Sequence, residues 1–181
     1  MKSRRYVFSW DFIGDIQKGR PNLGNSVSIE AYRLFLYTMR DVLEESYGTE
    51  ESEKILYRAG FLAGENVVEN YLPGYTLFDD FVAALHDLLL EKKIGILRIE
   101  SSDLSTNTFC ITVSEDVDCS GLPECDHVIC TYDEGFVAGL FSSFTGRRFT
   151  AKEVDCWCTG DRTCRFVVQL TEEHAAPLRD D

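Results

Sequence analysis

A chain of 181 residues with 18 Lys+Arg against 31 Asp+Glu, net charge −13, suits one globular domain with a sizeable core; nucleic acid and anionic membrane surfaces both call for clustered cations that it lacks. No apolar run reaches transmembrane length, so membrane insertion is not expected. Seven cysteines behind an N-terminus with no apolar leader favour a reducing, cytoplasmic setting, and metal or redox use over a disulfide framework.

Along the chain, Tyr6, Phe8, Trp10 and Phe12 alternate with Val7, Ser9 and Asp11, a period of two that predicts a strand with an aromatic face. Residues 14–25 read as a loop, so residues 1–27 are expected to be an N-terminal strand and loop. Ile29, Tyr32, Phe35, Leu36, Met39, Val42 and Leu43 then recur at helical spacing over 28–47. Gly48 stops that helix, and Thr49 caps a second one that runs to Leu72, ahead of Pro73-Gly74. The second helix carries Ala59, Gly60, Ala63 and Gly64. Such small residues admit another backbone, as a ligand cavity, a dimer seam or a neighbouring helix of the same subunit. A third helix over 76–93, capped by Thr76 with Asp79, presents Phe78, Phe81, Val82, Leu85, Leu88 and Leu89, with His86 at the edge of the stripe.

Two strands follow over 94–100 and 106–114, joined by a turn at 103–105. Phe109, Ile111 and Val113 share one face, and Cys110 points to the other. Residues 115–124 are an acidic loop. Thr131 and Glu134 form a capping box for a helix to Phe144, in which Gly135 and Gly139 lie one turn apart and can lie close on a sheet. Residues 149–154 and 164–170 then read as a hairpin through Thr159-Gly160-Asp161-Arg162, and 172–181 as a polar tail. The order implies an α+β fold with a mainly antiparallel sheet packed against a layer of helices, and one domain in which 28–171 forms the ligand-binding part.

The last third concentrates Cys130, Glu153, Cys156, Cys158 and Cys164. Thiolates with a carboxylate can complete a tetrahedral zinc shell; the same cysteines can equally be small buried hydrophobes. On a regular strand Glu153 and Cys156 would face opposite ways, so sharing a metal requires a bulge between them. Cys156 and Cys158 would share a face, which makes Cys158 a rival ligand. Cys119, Cys125 and Cys158 are candidates for redox chemistry. Cys119, Cys125, His127 and Cys130 could form a second metal or redox cluster, although their spacing matches no ligand knuckle.

The run Glu134-Gly135-Phe136, Gly139, Gly146, Glu153-x-x-Cys156-x-x-x-Gly160-x-x-x-Cys164-x-Phe166 resembles the signature of the V4R (4-vinyl reductase) domain family. That family includes hydrocarbon-binding proteins and the zinc-containing sensor domains of phenol-responsive transcription activators. The resemblance implies a fold similar to vesicle-tethering complex subunits and a zinc shell of Cys130, Glu153, Cys156 and Cys164. Zinc with four protein ligands keeps no open position for activated water, so the implied metal is structural. The chain has no nucleotide-binding glycine loop, paired-histidine helix motif or Ser-His-Asp set, and a binder is expected rather than an enzyme.

The expected function is a sensor or carrier for a small apolar or aromatic ligand, held between sheet and helices by Phe81, Leu85, His86, Phe109, Ile111, Phe136 and Phe141. A homodimer and a separate effector protein are the expected partners. The competing functions are a thiol redox switch, an enzyme or accessory factor of tetrapyrrole metabolism, and a scaffold subunit.

Overall fold

A computed structural model describes residues 5–103 and 105–171. Leu104, in the turn expected between the first two strands, and the tail at 172–181 lie outside the described residues. The chain divides into two compact units, Met1–Met39 and Arg40–Asp181. In the first, the described residues form no strand where one was expected. Trp10–Ile13 is a 3₁₀ turn, followed by the four-residue helix α1 (Ile16–Gly19) and the start of α2 (Ile29–Tyr47). The aromatic alternation is too short to form a ladder by itself, and the backbone instead makes local bonds. Phe12 N donates to Ser9 O at 3.0 Å and Gly14 N to Asp11 O at 3.1 Å. Tyr6, Val7 and Phe12 are exposed.

The second unit is α+β. The end of α2 leads into α3 (Thr49–Tyr71) and α4 (Phe78–Glu91), then β1 (Ile96–Asp103), β2 (Thr108–Ser114), α5 (Thr131–Thr145), β3 (Phe149–Asp155) and β4 (Cys164–Leu170). The sheet is antiparallel throughout, in the order β1-β2-β4-β3. Alternation on β3 and β4 sends Phe149, Ala151, Glu153, Cys164, Phe166 and Val168 inward. The α4 stripe of Phe81, Leu85 and Leu89 is fully buried and packs on β1. Leu77, not Thr76, precedes α4, and no side chain caps it.

The small residues of α3 find their partner inside the subunit. Gly60 and Gly64 on α3 face Gly135 and Gly139 on α5, and the backbones touch. A Cβ at Gly60 would lie 1.9 Å from Tyr132 O, and one at Gly135 would lie 1.9 Å from Tyr57 O. Gly64 and Gly139 are as crowded, with carbonyl oxygens of Phe136 and Phe61 at 2.2 Å. Gly135 and Gly139, expected against a sheet, are turned instead to α3, while Val137, Ala138 and Phe141 join the core. The α3 glycines are therefore consumed by close helix packing and are not a cavity wall.

Replacing Gly60 or Gly135 by alanine is expected to destabilise the fold by about 3 kcal/mol, because a rigid backbone on each side blocks the methyl group. That corresponds to a fall of roughly 6–12 °C in Tm. Gly19→Ala, with nothing within 4 Å of the added carbon, serves as the control. Thermal melting followed by circular dichroism makes the comparison, and equal midpoints would show that the helices do not meet this closely.

Candidate metal centre and adjoining groove

Three elements deliver the cysteines. Cys130 immediately precedes α5, Cys156 immediately follows β3, and Cys164 opens β4. The acidic loop adds Cys119. All four are buried, and their sulfurs lie within 4.8 Å of one another. Cys130 Sγ is 3.8 Å from both Cys156 Sγ and Cys164 Sγ, and Cys119 Sγ is 3.1 Å from Cys164 Sγ. Sulfurs placed tetrahedrally about a zinc at about 2.3 Å are about 3.8 Å apart, whereas a disulfide would draw two of them to about 2.05 Å. The four sulfurs lie close enough together to hold a metal ion, with the Cys119–Cys164 edge shorter than a tetrahedral one.

Glu153 stands beside this cage. The pairing of β3 with β4 shifts register between Glu153 and Asp155, the bulge required for Glu153 and Cys156 to approach one site. Glu153 Oε2 accepts the Cys130 backbone N–H at 3.2 Å, while Oε1 is buried without a partner. Cys158 is buried too, but it lies in a 3₁₀ turn over Trp157–Thr159. The strand geometry that made it a rival of Cys156 does not extend that far.

The electrostatics favour a cation. Burial raises Glu153 to about 8, with Cys156 as the next cause. Burial likewise raises Asp116 to about 7, with Asp118 adding to it, and holds Asp133 well above the usual carboxylate range. Asp133 Oδ2 is a second buried oxygen without a partner. Among the thiols, hydrogen bonding led by Cys119 holds Cys156 down as a thiolate and pushes Cys130 and Cys164 up. Crowded acids of this kind are relieved by one positive charge at their centre.

Short-range bonds hold the frame. Glu134 Oε1 accepts the Glu153 backbone N–H at 2.9 Å and pairs with Lys152 Nζ at 2.8 Å, fastening β3 to α5. Glu134 therefore joins no capping box with Thr131; the helix begins one residue earlier, after Cys130, which makes no side-chain cap. Arg40 Nη1 donates to Ile129 O at 2.7 Å, next to Cys130.

The expected second cluster is divided. Cys119 and Cys130 join the four-sulfur group, Cys125 Sγ donates to His127 O at 3.1 Å, and His127 pairs with Asp126. Cys125 and Cys158 are joined through the backbone, Cys125 N donating to Cys158 O at 2.7 Å. Burial raises the Cys158 thiol to about 12, with the Cys156 charge next. Cys110 lies apart on β2 and donates to Glu100 Oε2 at 3.4 Å.

Of the expected pocket residues, Phe81, Leu85, Phe109, Ile111 and Phe141 are buried in one continuous core, with Phe136 packed against it. Phe81 stacks on Phe144 at 4.0 Å, and Phe109 tilts against Phe141 at 5.0 Å. Only His86 of the expected set borders the groove of about 400 Å³ formed by α4 and β1, together with Phe78, Val82, Leu97 and Ile99. His86 Nδ1 is 2.8 Å from Leu97 O. A carbonyl only accepts, so Nδ1 carries the proton, and in the neutral form of the ring Nε2 is then the acceptor. Sequence reasoning names Cys119 for redox chemistry or a second cluster but not for the group with Cys156 and Cys164, and it names none of the groove residues Val82, Leu97 and Ile99 for a pocket. A lone cysteine in an acidic loop carries no ligand spacing, and a groove between distant elements has no local signal.

Known proteins place this architecture. Residues 109–170 match the V4R domain. Two uncharacterized proteins of Methanocaldococcus jannaschii are 26% and 27% identical to the chain, over 67% and 83% of it and 66% and 82% of their own lengths. The phenol-responsive sensory domain of the transcription activator PoxR, solved with phenol, superposes with a TM-score of 0.64 at 17% identity, over 80% of this chain and 75% of that one. A vinyl-4-reductase family protein from M. jannaschii gives 0.62 at 17% identity, over 94% and 100%. Trafficking protein particle complex subunit 3 from Naegleria fowleri, covalently bound to palmitic acid, gives 0.62 at 12% identity, over 80% and 95%. The fold is thus shared with a vinyl-4-reductase family protein and a trafficking protein particle complex subunit, and residues 109–170 of this chain match the V4R domain.

Proposed function

We propose that this chain is a small-molecule-binding sensor or carrier domain for an apolar or aromatic ligand, built around a structural zinc. The observation that carries the ligand reading is the α4–β1 groove, which places an oriented histidine acceptor among Phe78, Val82, Leu97 and Ile99. Its volume of about 400 Å³ falls within the usual range for small-ligand sites. The likeness to a sensory domain solved with phenol supports the ligand class. A phenolic hydroxyl would donate to His86 Nε2 while its ring lies on the apolar wall. Ligand occupancy would then alter contact with a separate effector protein. The role is one of binding, not catalysis.

Zinc would be held by Cys130, Cys156, Cys164 and Cys119, with Glu153 fixing the Cys130 backbone from outside. The alternative shell exchanges Cys119 for Glu153. In either shell four protein ligands surround the ion, which supplies cross-linking and charge compensation rather than an activated water. A second reading, a thiol switch, is favoured by the backbone bridge between Cys125 and Cys158.

Protein purified without oxygen is expected to contain one zinc per chain, by elemental analysis, and Cys156→Ser with Cys164→Ser should abolish it. Cys119→Ser should weaken zinc retention against a chelator by more than Glu153→Gln does; the reverse order would place Glu153 in the shell. A metal-free, fully folded protein would refute the site.

Zinc removal by a strong chelator should lower the melting midpoint, since a metal bound only by the folded chain adds to its stability. Acid should act in the same direction. Thiolate ligands take up protons as pH falls, so retention is lost at low pH and regained on neutralisation. A midpoint that does not move after verified zinc loss would contradict the structural role.

Calorimetry against phenols, alkylbenzenes and isoprenoid fragments should find a ligand of millimolar to micromolar affinity, on the order of 4–8 kcal/mol. For a phenol, His86→Ala should weaken binding by about tenfold while leaving an alkylbenzene unaffected, because only the hydroxyl uses the histidine. If no compound binds, and oxidation of Cys125 and Cys158 alters partner binding, the thiol switch replaces the ligand sensor.

A further inference from the structure

Asp133 is a buried acid that its own helix does not use. It is the third residue of α5, and Cys130 stands just before that helix. An acid at the third position ordinarily turns back to the backbone N–H ahead of the helix. Here that N–H is already taken, because Cys130 N donates to Glu153 Oε2 at 3.2 Å. Asp133 is 9% exposed, and its Oδ2 has no hydrogen-bond partner among the described residues. A buried carboxylate left in this way is costly until a cation or a donor meets it. The acidic loop places a second carboxylate opposite. One oxygen each of Asp116 and Asp133 and the Cys130 sulfur all lie within 4.8 Å of one another. Asp116 Oδ1 accepts the backbone N–H groups of Asp118 at 2.7 Å and Cys119 at 3.1 Å, which fixes the carboxylate in the loop. Asp118 is buried as well and adds negative charge to the same loop. Of this three-donor group only Cys130 also belongs to the four sulfurs.

The geometry points to a second divalent-cation site, formed by Asp116, Asp133 and the Cys130 sulfur, which is shared with the structural zinc. It rests on the zinc reading above, since the bridging thiolate comes from that shell. A dication at the centre of four thiolates leaves a net negative centre, and the carboxylates of Asp116 and Asp133 add to it on one side. The donors select the class of ion. A tetrahedral zinc-like ion holds a sulfur and an oxygen ligand about 3.6 Å apart, so the three donor atoms need to close by no more than about 1 Å. Calcium takes about six to eight oxygens and magnesium an octahedral oxygen shell, neither of which two carboxylates and a sulfur supply. The second ion is therefore of the zinc or cobalt type. Three protein donors leave its fourth position to water. Fewer and harder ligands make it exchangeable, whereas the zinc with four protein ligands is retained through purification. The second ion ties the acidic loop to the first turn of α5 and meets the Asp133 oxygen that the helix leaves unpartnered.

The test is titration of the full chain, purified with its zinc and kept without oxygen, with Co²⁺. Absorption spectroscopy follows binding, and elemental analysis after dialysis at fixed free cobalt counts both metals. Wild type should take up one cobalt beside one zinc, with a thiolate-to-cobalt charge-transfer band from the Cys130 sulfur. Asp133→Asn keeps the shape of the side chain and should weaken cobalt binding by more than about tenfold, since even the outer partners of a metal site are worth that much. Its zinc content and circular dichroism should not change. Asp126→Asn, at an exposed acid, should bind cobalt as wild type does. A large excess of Ca²⁺ or Mg²⁺ should not displace the cobalt. One zinc with no cobalt uptake overturns the second site alone, whereas a folded protein without zinc overturns both sites together. Cobalt that replaces the zinc, lacks the thiolate band, yields to Ca²⁺ or binds Asp133→Asn equally well also overturns the second site. Loss of zinc from Asp133→Asn would put Asp133 in the zinc shell and overturns it too.

Discussion

The crossing of α3 and α5 is the contact on which the second unit depends. Four glycines allow two helix backbones to touch, so α5 lies in the body of the unit rather than on its surface. Its other faces then meet the sheet, and Val137, Ala138, Leu140 and Phe141 are all buried. Because α5 is fixed along its length, the residue before it is fixed too, and that residue is Cys130. Glycine lowers helix propensity by about 1 kcal/mol at each position, a cost offset by close packing over the whole crossing.

Around Cys130 the unit concentrates groups that repel one another as anions. Four thiols, Glu153, Asp116 and Asp133 occupy one buried region, and two carboxylate oxygens there have no partner. Burial raises all three acids, which expresses the cost of charging them there. With a dication at the centre of the sulfurs, the same charges become the reason the site binds it. A metal here would cross-link the acidic loop, the start of α5 and the β3–β4 connection.

The groove obeys a different logic. The large aromatic residues of the interior stack on one another, as Phe81 does on Phe144. Space exists where α4 meets β1, the edge strand of the sheet, and His86 spends one nitrogen there on the Leu97 carbonyl. That bond couples the histidine's orientation to the sheet, so a ligand accepted by the other nitrogen would be sensed by both elements.

The four long helices, the two strand pairs and the α+β class are legible in the sequence because each is written in local periodicity, whereas Cys130, Cys156 and Cys164 were singled out by the resemblance to the V4R signature. The need for a bulge between Glu153 and Cys156 was also legible, since strand alternation is fixed by backbone geometry. Only the tertiary structure decided the rest. Tyr6 to Phe12 alternate like a strand, yet no strand among the described residues pairs with them, and local bonds win. Gly60, Gly64, Gly135 and Gly139 declare a close approach but not its partner, which is set by helices more than seventy residues apart in sequence. Cys119 enters the cysteine cluster from a loop with no ligand motif, because proximity to Cys164 arises from chain folding across 45 positions. The aromatic residues that suggested a cavity could equally fill one, and in the structure they pack against one another in a buried core.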